Sequence, residues 1–130
     1  MKAYFAVPLV KHRNKQNAKL IAKILNDLGI QIINNWILLG DPNPNLDFVG
    51  IYFRDLKAIK KCDIFVAEIT KPSTGIGIEI MMAKKFRKKT ICIYKEELVS
   101  RIILGMPGIT KIKYFNVKDL GKKLDQILSN

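Results

Sequence analysis

The chain has 130 residues, of which 48% are hydrophobic and 26% charged, and its formal net charge is +12. This length predicts one domain, residues 1–130, with a single buried core. No apolar run approaches the roughly 20 residues of a membrane span, and the first apolar segment is too short for a signal peptide, so we expect a cytoplasmic protein without a membrane partner.

The excess of positive charge is compatible with a nucleic-acid surface or with a solvated basic surface. The lysines are scattered through segments such as KKC, KKFRKK and GKK, and aromatic residues do not interleave with them. A solvated surface is therefore favoured over nucleic acid, and its field would also attract a small phosphorylated substrate. Cys62 and Cys92 stand alone beside apolar runs, which favours small buried hydrophobes over a disulfide, a metal or a cofactor.

Strand and helix patterns alternate from the N-terminus. The segment KAYFAVPLV predicts a strand, and residues 14–29 carry apolar side chains at helical spacing, with Gly29 as the C-cap. The segment IQIINNWIL predicts a second strand, and GDPNPN after it predicts a loop long enough to be functional. A helix is then expected from about Leu46 to Lys61.

Three more strands are predicted in the second half of the chain. DIFVAEI is a nearly continuous apolar run, typical of a strand buried on both faces, and TICIY and KIKYF follow it with helical segments between them. Five strands alternating with about five helices predict a doubly wound α/β fold, flavodoxin-like or Rossmann-like. A five-stranded parallel sheet flanked by helices would form three α/β/α layers, with ligands beyond the carboxyl ends of the strands.

Familiar nucleotide and phospho-relay motifs do not fit these strand ends. No phosphate-loop motif is present, and GIGIEI lacks the third glycine of a dinucleotide fingerprint. A receiver domain would need acidic residues after the first strand and an aspartate closing the third, whereas the third ends in Glu68. The fold of a receiver domain fits, but its chemistry does not.

The segment TKPSTG, between the third strand and the next helix, predicts an anion site. A helix that starts near Gly75 exposes backbone N–H groups beside the Ser73 and Thr74 hydroxyls, and Gly75 and Gly77 allow a ligand to approach the main chain. Glu79 would then lie on the first helical turn. There it is either a functional carboxylate or only a partner of the helix dipole.

Asp55 supplies a second carboxylate. It lies on the helix before the third strand, among the apolar residues Ile51, Leu56 and Ile59, where a plain surface residue is not expected. Two carboxylates that face one cleft are the arrangement for glycosidic-bond chemistry. One can attack the anomeric carbon, while the other positions or protonates the leaving group.

Several segments of the chain resemble those of a known family. The segment DLKAIKKCDIFVAEITKPSTGIGIEI, with YFAVPL near the N-terminus and VSRIILG downstream, is similar to the nucleoside 2-deoxyribosyltransferase superfamily and, within it, to the 2'-deoxynucleoside 5'-phosphate N-hydrolases. The resemblance covers nearly the whole chain. It implies the doubly wound fold described above, a nucleotide substrate and no cofactor.

The resemblance also implies roles for individual residues. It puts the nucleophile at Glu79, the second acid at Asp55 and a tyrosine beside the nucleophile at Tyr4. The 5'-phosphate would be bound by Ser73 and Gly75. A serine that the family donates across a dimer interface to the partner's phosphate falls on Ser100, which implies a homodimer.

Some positions depart from the family pattern. Val7 replaces a glycine of the first-strand loop, and Ile78 replaces a tyrosine common before the nucleophile. The Pro8-Leu9 pair looks like the transferase version of that loop, in which Leu9 would contact substrate, and Val10 replaces an arginine of the hydrolases. Three basic residues that could substitute for it follow: Lys11, His12 and Arg13.

Trp36 falls near the base-contacting position at the end of the second strand. There it would either stack on a nucleobase or belong to the core.

The leading functional hypothesis is hydrolysis of the N-glycosidic bond of a (2'-deoxy)nucleoside 5'-monophosphate. The alternatives are a nucleoside 2-deoxyribosyltransferase, in which a second base replaces water, and a nucleotide-binding module without turnover.

Overall fold

The protein is described by a computed structural model that covers residues 1–8, 15–39, 45–96 and 98–129. The strands are β1 Lys2–Ala6, β2 Gln31–Ile32, β3 Ile64–Glu68, β4 Lys89–Tyr94 and β5 Thr110–Lys113. The helices are α1 Lys15–Asp27, α2 Trp36–Leu39, α3 Phe48–Lys61, α4 Thr74–Lys85, α5 Arg101–Leu104 and α6 Val117–Leu128.

The strands form one sheet in the order β2-β1-β3-β4-β5, and every neighbouring pair is parallel. Helices cover both faces, so the predicted doubly wound α/β architecture is confirmed. The central strand β3 is buried along its whole length, which explains its nearly continuous apolar sequence. Among the described residues, no helix is both long enough and apolar enough to span a bilayer.

The alternation of side chains along the strands divides the core into two layers. Ala3 and Phe5 of β1 pack on the side of α1 and α6, whereas Tyr4 and Ala6 pack on the side of α3 and α4. Cys62 and Cys92 belong to the second layer and are buried, free thiols, so the prediction of small buried hydrophobes is confirmed. Burial raises the pKa of both thiols.

Local signals mark the ends of two helices: Gly29 follows α1 as the sequence predicts, and α3 begins two residues after the predicted Leu46. The side chain of Asp47 accepts a hydrogen bond from the Gly50 N–H at 2.7 Å and so caps α3. Gly29, just beyond α1, has a φ of +81°, a left-handed conformation that glycine adopts readily.

The second predicted strand is wrong in length. Only Gln31–Ile32 pair with β1, and the chain then turns into α2, which begins at Trp36. The cause is Asn34, whose side chain accepts from the Phe5 N–H at 2.8 Å and donates to the Phe5 carbonyl at 2.7 Å. These bonds replace main-chain pairing and end the strand.

The predicted position of Glu79 on the helix is also wrong. The helix α4 is capped by Ser73 and starts at Thr74, so Glu79 is its sixth residue and lies on the second turn. Because the dipole effect declines after the first turn, a role as a mere dipole partner loses its support.

Candidate active site

Tyr4 and Glu79 form a hydrogen-bonded pair between the sheet and α4. The Tyr4 hydroxyl donates to Oε2 of Glu79, and the Tyr4 ring stacks on Phe65 with centroids 5.5 Å apart and planes 6° from parallel. Tyr4 is buried because its position on β1 faces the α3 and α4 layer. Burial, reinforced by the charge of Glu79, raises the pKa of Tyr4 far above its ordinary value, so the hydroxyl remains a donor.

Glu79 is half-buried and its protonation is tuned by its surroundings. Burial raises the pKa of this carboxyl to about 7, and the nearby charge of Asp55 also raises it. The hydrogen bond from Tyr4 and the positive charge of Arg54 act in the opposite direction. The carboxyl therefore changes charge near neutral pH, as a poised catalytic group would.

Asp55 lies beside this pair on α3 and is held by its neighbour Arg54. Nε of Arg54 donates to Oδ1 of Asp55 at 3.0 Å, and the two side chains are 16% and 23% exposed. The Arg54 guanidinium lies 4.6 Å from the centroid of the Trp36 ring. Tyr4, Glu79 and Asp55 are thus brought together as the sequence predicts, and Arg54 is a fourth member that the sequence reasoning missed.

The predicted phosphate turn lies at the start of α4. The Ser73 hydroxyl oxygen accepts from the Ile76 N–H at 3.2 Å, which leaves its own O–H able to donate to a ligand. Among the described residues, a Cβ built on Gly75 would meet only the Ser73 hydroxyl oxygen, at 3.9 Å, and a Cβ on Gly77 would meet nothing within 4 Å. Packing against this part of the chain therefore does not require glycine at either position, and the open space suits a ligand or a second chain.

Ser73 also lines a groove of about 480 Å³ together with Ser100. Ser100 caps the short helix α5, its hydroxyl oxygen accepting from the Ile103 N–H at 3.3 Å. Gly77 and Met81 of α4 line the same groove, whereas Glu79 does not. At about 100° per residue, Glu79 lies roughly 200° around the helix from both, so one chain places Ser100 and Glu79 on different flanks of α4.

The sequence also predicts Leu9 and Trp36 as substrate residues. Leu9 lies outside the described residues, as do Lys11, His12 and Arg13. Trp36 is half-buried beneath the Arg54 guanidinium. The described residues hold no group of three or more His, Cys, Asp or Glu side chains that could bind a metal ion.

The sequence profile of the nucleoside 2-deoxyribosyltransferase family matches residues 3–124. The chain belongs to this family. The match includes Tyr4, Asp55 and Glu79, the three residues that meet in the candidate site.

Several relatives of the chain carry the name of an N-hydrolase. A protein from Syntrophotalea carbinolica, named as a candidate 2'-deoxynucleoside 5'-phosphate N-hydrolase, is 34% identical over 83 residues, which is 62% of this chain and 58% of that protein. A 5-hydroxymethyl-dUMP N-hydrolase from Branchiostoma floridae is 34% identical over 73 residues, which is 56% of this chain and 70% of that protein. The match thus spans less than two thirds of the first relative's length.

A solved structure resembles the chain over its whole length. The CMP N-glycosidase of Clostridium botulinum is 25% identical, superposes with a TM-score of 0.77, and is matched over 98% of this chain and 99% of that one. The family's doubly wound architecture is therefore shared from end to end.

Proposed function

We propose that the protein hydrolyses the N-glycosidic bond of (2'-deoxy)nucleoside 5'-monophosphates, giving a free nucleobase and a pentose 5-phosphate. The observation that carries this proposal is the cluster of Tyr4, Glu79 and Asp55: two carboxylates and a buried hydroxyl meet beside a helix N-terminus suited to a phosphate. The names of the relatives support the reaction class, since each is an N-hydrolase or N-glycosidase of a nucleotide.

The proposed reaction has two steps. The Glu79 carboxylate attacks the anomeric carbon, the bond to the base nitrogen breaks, and its electron pair leaves with the base, which takes a proton that a water molecule delivers through the Asp55 carboxylate. A water molecule then attacks the same carbon, gives up a proton to solvent through Asp55 and releases the Glu79 carboxylate. Tyr4 orients the attacking carboxylate through its hydrogen bond.

The phosphate would sit at the start of α4. The first N–H groups of a helix have no partner within the helix, and its dipole favours an anion there. Gly75 precedes Glu79 by four residues and so lies on the same flank, which connects the phosphate turn to the nucleophile. A net charge of +12 would further favour dianionic substrates.

A homodimer would bring Ser100 to this site. Within one chain, Ser100 lies on the other flank of α4 from Glu79, so it would serve the phosphate of a second subunit. Exposed apolar side chains surround it, with Met81, Leu98 and Ile102 at 56%, 88% and 80% exposure. A second copy that covered these side chains would remove apolar surface from water and complete both sites.

Base exchange is the second candidate function. The family profile itself is that of a transferase, and the Pro8-Leu9 pair resembles the transferase loop. The same Glu79 intermediate would then be resolved by a second base. Product analysis with and without an added acceptor base separates the two reactions, because only a transferase forms a new nucleotide.

The test of the proposed function is release of free base. The protein is incubated with a panel of ribo- and deoxyribonucleotides and their nucleosides, and base and sugar phosphate are separated by chromatography. Glu79→Ala should remove turnover by about a thousandfold or more while the protein stays folded, because loss of a covalent nucleophile costs several kcal/mol of barrier. Glu96→Gln, at an exposed glutamate, is the matched control.

Two outcomes would contradict the proposal. One is a parent protein that binds nucleotides but releases no base from any member of the panel, which is the behaviour of a binding module. The other is a folded Glu79→Ala variant that still turns over within about tenfold of the parent rate.

A further inference from the structure

Arg54 has a fixed place between the candidate catalytic residues and Trp36. Its guanidinium lies 4.6 Å from the centroid of the Trp36 ring, and its Nε donates to Oδ1 of Asp55 at 3.0 Å. Only 16% of its side chain is exposed. A guanidinium that lies over an aromatic ring and is also hydrogen-bonded has few orientations left, and a flexible lysine could not reproduce both contacts.

The charges around Glu79 indicate what Arg54 does in the site. Tyr4 faces it from β1 as a neutral donor, and Asp55 and Arg54 face it from α3. Two carboxylates in one half-buried site oppose each other's ionisation, and a neighbouring cation relieves that opposition. Among the described residues, Arg54 is a cation that reaches both, because it is bonded to Asp55 and its charge also acts on Glu79.

We propose that Arg54 is a positioning residue of this active site. Its guanidinium packs against Trp36 and is hydrogen-bonded to Asp55, so it holds the Asp55 carboxylate in place. It also supplies the positive charge that lets Glu79 react as an ionised nucleophile. This inference rests on the proposed function. The same inference gives Trp36 a role through Arg54: its ring packs against the guanidinium and does not stack on the nucleobase.

The first measurement is the pH dependence of kcat/KM for Arg54→Gln and Arg54→Lys. Arg54→Gln removes the charge and should move the midpoint of the acid limb upward by at least about half a pH unit, with a lower kcat. Arg54→Lys keeps the charge but loses the planar stack, so its midpoint should stay near that of the parent while kcat falls about tenfold. Lys57→Gln is the matched control, because Lys57 lies on the same helix and lines the same surface groove as Arg54 and Trp36.

A double-mutant cycle tests the role of Trp36. If Trp36 acts through Arg54, the Trp36→Leu substitution should cost little more once Arg54→Gln is present. If the ring instead stacks directly on the base, the two losses in kcat/KM would multiply in the double variant. Multiplication would overturn the assignment of Trp36.

A titration that needs no turnover separates this inference from the proposed function. The carboxyl carbon of Glu79 is followed by 13C NMR in the parent, Arg54→Gln and Lys57→Gln proteins, and its resonance is identified by its loss in Glu79→Gln. We expect a higher midpoint in Arg54→Gln alone. An unchanged midpoint in Arg54→Gln would overturn the role of Arg54 even in an active enzyme. Absence of turnover on every nucleotide would instead overturn the proposed function, and the titration would still be valid. Should Arg54→Gln fail to fold, an undiminished kcat in Arg54→Lys would overturn the inference.

Discussion

At the scale of single residues, Glu79 carries a conflict between burial and charge. A nucleophilic carboxylate must be ionised, yet burial favours its neutral form and raises its pKa to about 7. The Tyr4 hydrogen bond and the Arg54 charge oppose that effect without cancelling it. If Glu79 is the nucleophile, the site holds it at some cost in stability, which is common where function is built into a fold.

This cost predicts a pH-dependent stabilisation by Glu79→Gln. The carboxyl has an ordinary value of 4.5 and a pKa of about 7 in the folded protein, so the folded state binds more protons than the unfolded state between these values. The stability of the parent therefore falls as pH rises through this window and stays lowered above it. Glutamine cannot ionise, so the variant should be more stable than the parent by up to about 3 kcal/mol at pH 8, with the difference vanishing below about pH 4.5.

Urea unfolding at pH 8 and pH 4.5 measures this effect. Glu96→Gln, at an exposed glutamate, controls for the removal of one negative charge from a basic protein. Equal stability of parent and Glu79→Gln at both pH values would contradict a buried carboxyl that ionises at a cost.

At the scale of elements, the sequence predicts those features that have a local cause. The continuous apolar run of β3 and the glycine after α1 are local signals, and the structure has them where the pattern indicates. The length of β2 depends instead on Asn34, whose side chain meets Phe5, 29 positions away in sequence. A periodicity read along one segment does not contain that contact.

The candidate site shows the same limit. The motif around Glu79 and the helix around Asp55 are each visible in the sequence, and a family resemblance joins them to Tyr4. The contact between Arg54 and Trp36 is not visible in the sequence, because the two residues belong to different elements and lie 18 positions apart. The only local hint is an arginine directly before Asp55, in the segment YFRDL.

The start of α4 predicts an effect of Ser73→Ala on substrate preference. If the Ser73 hydroxyl donates to the 5'-phosphate, the parent should favour nucleotide over nucleoside by at least about tenfold in kcat/KM, as one charge-assisted hydrogen bond of about 1.5 to 3 kcal/mol would give. Ser73→Ala should shrink that ratio and leave the slow nucleoside reaction nearly unchanged. It should also lower stability by about 1 kcal/mol, because Ser73 caps the helix.

Loss of a cap elsewhere separates these two effects. Asn116 caps α6 by accepting from the Asp119 N–H at 2.9 Å, so Asn116→Ala should lower stability in the same way but keep the preference for nucleotides. A parent enzyme with equal kcat/KM for nucleotide and nucleoside would favour the transferase.

At the scale of the whole molecule, the arrangement of Ser100 predicts shared active sites. Ser100 and Glu79 occupy different flanks of α4 in one chain, and exposed apolar side chains next to Ser100 offer a surface for a second copy. Light scattering should therefore show a dimer. Each site of that dimer would take Glu79 from one subunit and Ser100 from the other.

Complementation between impaired variants tests this assembly directly. Glu79→Ala and Ser100→Ala proteins are mixed and allowed to exchange subunits. In each mixed dimer one site pairs an intact Glu79 with an intact Ser100, and the other site carries both substitutions, so an equal mixture should regain about a quarter of the parent activity. Mixing Glu79→Ala with a second variant defective in the same half-site, Asp55→Asn, should restore nothing and serves as the control. The shared site would be contradicted by a monomer with full activity, or by a mixture no more active than its two components. A site formed within one chain would not recover activity in a mixed dimer.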